Sequence, residues 1–118
     1  MSEFAPLKSY IAGGWTAPAT STATIDAINP ATEAVCATVA ICGPDDVGRA
    51  VQAARAAFVG YSAFSLDQRI ALVERLIEIF ERRYDEVVVA ISTEMGAPYD
   101  LSYNAQAESG PGHLRATI

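Results

Sequence analysis

Two cysteines, one histidine and a ladder of charged side chains are the parts of this sequence whose types and spacing invite chemistry. Cys36 and Cys42 could attack a carbonyl carbon as thiolates, provided a cation, a base or a helix N-terminus lowers the thiol pKa. Cys36 sits in the apolar run A-V-C-A-T-V-A, with no histidine or basic residue close in sequence. Cys42 precedes a helix start, which favours a thiolate, but Asp45 and Asp46 follow and oppose it. Both are therefore read as small buried hydrophobes. On one extended strand they would share a face ~20 Å apart, too far for a disulfide. Two unpaired thiols fit a reducing, cytoplasmic setting.

His113, in G-P-G-H-L, is the single histidine. A zinc site needs more ligands than one imidazole, so His113 is read as a helix residue making an ordinary hydrogen bond. Glu78, Arg82 and Glu86 recur at i,i+4 and are read as a solvated helix face. Gly13-Gly14 and Gly110-Pro111-Gly112 do not match the G-x-G-x-x-G pattern that cradles a dinucleotide phosphate. They are read as a hairpin turn and a helix break.

The elements that would carry these residues follow from periodicity. Lys8 to Ala12 reads as a short strand and Thr16 to Thr24 as a loop. Thr24 to Ile28 alternates polar with apolar residues, and Ala34 to Ile41 returns after the turn Asn29-Pro30-Ala31-Thr32-Glu33, giving a β-hairpin. Pro44, Asp45 and Asp46 open a helix, because proline at the first position gives up no needed bond and the acids oppose the positive dipole end. Val47, Ala50, Val51, Ala54, Ala57 and Phe58 form its stripe, and Gly60-Tyr61-Ser62 ends it. Ser65-Leu66-Asp67-Gln68 has the form of a capping box. Leu66, Ile70, Val73, Ile77, Phe80, Tyr84, Val87, Ile91 and Met95 then alternate by four and three, with Leu72, Leu76 and Ile79 widening the arc. So long a pattern predicts two helices with a joint near Tyr84-Asp85. Gly96 and Pro98 close it, and a further helix is expected beyond, interrupted at Gly110-Pro111-Gly112.

The chain has 118 residues, 51% of them hydrophobic, and a net charge of −6. That size is one domain or part of one, and the apolar fraction argues against disorder. The acidic balance disfavours a nucleic-acid role, since phosphate binding needs a basic surface. No apolar run approaches the length of a membrane span. The start, M-S-E-F-A-P-L-K-S-Y, lacks the apolar core of a signal peptide.

Five landmarks lie in an order that resembles the aldehyde dehydrogenases. Tyr10-Ile11-Ala12-Gly13-Gly14-Trp15 is similar to their Y-I-x-G-x-W segment, and Asn29 to Glu33 to their N-P-A-T-G/E turn. The helix from Asp46-Val47 to Ala57-Phe58 resembles D-V-x-x-A-V-x-A-A-x-x-A-F. Gln68-Arg69 through Leu76 sits where the family has its R-x-x-x-L helix, and Glu94-Met95-Gly96-Ala97-Pro98 resembles E-x-G-K-P with alanine for lysine. The resemblance implies an N-terminal segment of an NAD(P)-dependent enzyme that oxidises an aldehyde to an acid through a cysteine thiohemiacetal. It implies an α/β fold for the parent, with this segment an N-terminal β-hairpin followed by three to four α-helices (1–42 and 43–118), part of the nucleotide-binding domain. The family's nucleophilic cysteine, general-base glutamate, oxyanion-stabilising asparagine and phosphate loop all come later in the chain. No catalytic, cofactor-binding or metal residue is therefore assigned here, and the segment alone is expected to be inactive. Some family members hold an alkali cation, and the Ile28 carbonyl and Glu108 resemble positions near it. The implied parent uses NAD or NADP, takes a small aldehyde and assembles as a homodimer or homotetramer. This segment's own partner is then the remainder of the chain, with no nucleic acid or membrane. The alternative is a stand-alone helical interaction module that uses the Leu66 to Met95 seam.

Overall fold

The computed structural model describes residues 8–118. The expectation about a signal peptide falls on the first residues and lies largely outside the described ones. The chain divides into two compact units. The first takes the residues up to Ile28 together with Ala34–Ala63; the second takes Asn29–Glu33 and Phe64–Ile118.

In the first unit, β1 (Ser9–Ile11) pairs antiparallel with β2 (Gly14–Thr16), and Tyr10 stands opposite Trp15. Trp15 thus lies in a strand of its own, on the far side of a two-residue turn. Such a loop matches the strand twist only with positive φ at both central residues. Ala12 at φ 53° and Gly13 at φ 81° supply it. The Tyr10 and Trp15 rings meet edge to face, 5.1 Å apart.

The expected hairpin is present as β3 (Thr24–Asn29) and β4 (Ala34–Ala40), which pair in a second two-stranded sheet. Ile41 N–H donates to the Ala23 carbonyl at 2.9 Å, and the Thr38 hydroxyl donates to Asp26 at 2.9 Å. β4 ends at Ala40, so Cys42 lies past the strand and the expectation that both cysteines share one strand face fails.

Helix α1 (Pro44–Ser62) begins where the sequence places it, with proline first and two acids in the first turn. Its apolar stripe does not find a core. Val47 is 59% exposed and Phe58 65%, and Val51 is also exposed.

The second unit holds α2 (Leu66–Arg82) and α3 (Tyr84–Met95), with Arg83 at φ −107° and ψ 17° breaking the helix between them. The Ser65 hydroxyl accepts from Gln68 N–H at 3.2 Å and the Gln68 amide oxygen accepts from Ser65 N–H at 2.8 Å, completing the capping box. The joint that the sequence places near Tyr84-Asp85 thus falls at Arg83. Ile77 and Val88 are buried along this stretch, and fully covering one such side chain contributes roughly 1.5–3 kcal/mol. Leu72 and Leu76 remain exposed.

Gly96 takes φ 66° at the end of α3, as a left-handed cap requires. It also touches the hairpin turn. In that turn Asn29 accepts from Ala31 N–H through its side chain at 2.8 Å and from Glu33 N–H through its carbonyl at 2.8 Å. A Cβ on Gly96 would sit 2.7 Å from Pro30 Cγ and 3.1 Å from Ala31 N, so the turn and the cap approach more closely than any side chain permits.

After Pro98, the single turn α4 (Tyr99–Leu101) widens into a π-helical turn over Ser102–Gln106, where Ala107 N–H reaches back five residues to the Ser102 carbonyl at 2.9 Å. α5 (Ser109–Arg115) follows and packs on α2. The interruption thus falls before Ser109, not at Gly110-Pro111-Gly112. Pro111 lies in the first turn of α5, where helix N–H groups have no intrahelical acceptor and the missing donor costs nothing. Gly110 allows the Phe80 ring to approach; a Cβ there would lie 2.9 Å from Phe80 Cζ.

Candidate functional site

The end of α2, the start of α3 and the π-helical turn build an open pocket with a polar, titratable lining in the second unit. Its volume is about 400 Å³, and Glu81, Arg82, Tyr84, Asp85, Tyr103 and Glu108 line it. Arg115, from the last turn of α5, hydrogen-bonds Glu81 and reaches Glu108 at 3.5 Å. The Tyr84 hydroxyl donates to the Tyr103 carbonyl at 2.5 Å, and the two rings meet edge to face at 5.1 Å. Burial, reinforced by the Glu108 carboxylate, pushes the Tyr84 hydroxyl above its ordinary pKa. It is therefore a protonated donor at neutral pH and no base. The Glu81 and Glu108 carboxylates accept from Arg115, and no thiol or imidazole is among the residues that line the pocket.

The sequence-flagged residues are dispersed. The Cys36 thiol is half-buried and donates to the Ala27 carbonyl at 3.3 Å. Cys42 Sγ and Ser9 Oγ lie 2.7 Å apart. A serine hydroxyl is too weak a base to generate a thiolate, so this contact satisfies two polar groups without activating either. His113 is exposed in the last turn of α5, where a basic side chain suits the negative end of the helix dipole. Ile28 belongs to the first unit and Glu108 to the second, where Arg115 and Tyr84 are its neighbours. Among the described residues no group of three or more His, Cys, Asp and Glu side chains is placed to hold a metal ion. Glu78, Arg82 and Glu86 are exposed, as a solvated helix face requires, but their ion pairs do not follow the i,i+4 ladder. Glu78 pairs with Arg75 at 2.9 Å and Glu86 with Arg83 at 2.7 Å, both at i,i+3.

The most constrained charged group is one of the two helix-start acids. Asp46 is 2% exposed. One carboxylate oxygen accepts from Arg49 at 2.5 Å and from Ala19 N–H at 2.9 Å, and the other from Gly43 N–H at 3.0 Å. Arg49 first, then the Gly43 amide, hold its pKa below the ordinary 3.8. These bonds tie the segment around Ala19 to the start of α1. The role is structural, since every carboxylate oxygen already has a donor.

Comparison with known proteins supplies what the geometry lacks. The model of the aldehyde dehydrogenase family matches residues 15–117. A Staphylococcus aureus protein named a putative aldehyde dehydrogenase is 39% identical over 109 residues, which are 92% of this chain and 23% of that protein. The 3-succinoylsemialdehyde-pyridine dehydrogenase of a Pseudomonas species is 42% identical over 89% of this chain and 22% of its own length. The fold is shared with a Bartonella henselae aldehyde dehydrogenase at a TM-score of 0.89 and 36% identity, over 93% of this chain and 23% of that one. It is also shared with a mutant of Pseudomonas syringae aldehyde dehydrogenase C complexed with NAD+ and octanal, at 0.88 and 44% identity, over 92% and 22%. The chain thus spans somewhat under a quarter of the length of these relatives.

Proposed function

Because this chain belongs to the aldehyde dehydrogenase family, we propose that it is the N-terminal scaffold of an NAD(P)-dependent aldehyde dehydrogenase and carries none of the reacting groups itself. The observation that carries this reading is the match of nearly the whole chain to less than a quarter of each relative. The exposure of the α1 stripe and of Leu72 and Leu76 supports it, since apolar faces of that size are ordinarily covered by more protein. The NAD+ and octanal held by the Pseudomonas syringae relative support a nicotinamide cofactor and an aldehyde substrate for the whole enzyme.

In that enzyme NAD(P)+ would supply the hydride acceptor for oxidation of the aldehyde to the acid. The residues of this chain serve the reaction indirectly. The hairpin turn Asn29–Glu33 is fixed against Gly96, and Asp46 fixes the start of α1. Each holds its part of the scaffold rigid for the polypeptide that packs on it. The segment belongs to the nucleotide-binding domain, and the assembled enzyme is a cytoplasmic homodimer or homotetramer.

The intact mass of the protein purified from its source tests the reading. A mass several-fold above 12.5 kDa, together with NAD(P)+-dependent aldehyde oxidation, is the expected result. A mass near 12.5 kDa with no dehydrogenase polypeptide co-purifying would overturn it.

A further inference from the structure

We draw no further inference here: the strongest candidate, the exposed apolar stripe of α1 formed by Val47, Val51 and Phe58, has nothing in the structure to show what covers it beyond the remainder of the enzyme already proposed.

Discussion

Replacing Gly96 with alanine tests whether the hairpin turn and the end of α3 are one packed unit. The residue carries two separate burdens. At φ 66° any side chain incurs the left-handed cost of about 1–2 kcal/mol. The new Cβ would also overlap Pro30 Cγ at 2.7 Å and crowd Ala31 N at 3.1 Å. Those are ring and backbone atoms that cannot swing aside, and overpacking of this kind costs about 1–3 kcal/mol. The sum of about 2–5 kcal/mol corresponds to amide exchange about 30-fold to several thousand-fold faster, up to the limit set by the native protection.

Hydrogen exchange read by mass spectrometry at residues 29–33 and 84–96 reports the change locally and does not require a single global unfolding transition. Gly13→Ala is the control. Gly13 has φ 81° but nothing within 4 Å of its would-be Cβ, so it incurs only the left-handed cost, about 5- to 30-fold in exchange. Pro30→Ala in the Gly96→Ala background removes the worst overlap and recovers part of the loss. Equal effects of Gly96→Ala and Gly13→Ala, or no recovery with Pro30→Ala, would refute the close packing of turn and cap.

Ala12→Asn relieves a non-glycine residue at φ 53° in a turn that favours asparagine there, and is expected to strengthen the β1–β2 pairing by up to about 1 kcal/mol; slower exchange at Tyr10 and Trp15 checks it. Asp46 has a folded pKa below its unfolded value, so its contribution is present above about pH 4 and is lost as pH falls through the lower folded value. Asp46→Asn should therefore weaken the fold at neutral pH and flatten the acid limb of a circular-dichroism titration; an unchanged acid limb would show that other carboxylates set it. The isolated chain should self-associate and bind a hydrophobic dye. Val51→Gln with Phe58→Gln should reduce both without loss of helix, whereas a wild-type monomer with a sharp melt would count against the scaffold reading.

Much of the fold is legible in the sequence because it rests on local chemistry. The capping box at Ser65, proline at the start of α1, glycine after α3 and the asparagine–proline turn each act over a few residues, and each appears where its residues predict. The remaining features depend on context. Pro111 looks like a helix breaker until the start of α5 is known to lie two residues before it. The π-helical turn at Ser102–Gln106 carries no distinctive residue pattern. Asp46 reads as one of two helix-start acids, and only the fold brings the Ala19 amide to it. Arg75 and Arg83 outcompete Arg82 for Glu78 and Glu86, since i,i+3 and i,i+4 partners are equally within reach on a helix surface. The proposed function was legible only through family resemblance, because no residue pattern in this chain points to the reaction by itself.

The central claim is that this chain is scaffold without chemistry of its own. The most direct measurement is nicotinamide reduction by the purified 118-residue chain supplied with NAD+ or NADP+ and octanal. The account predicts no turnover above that of buffer. Aldehyde-dependent reduction that scales with the amount of chain would contradict it.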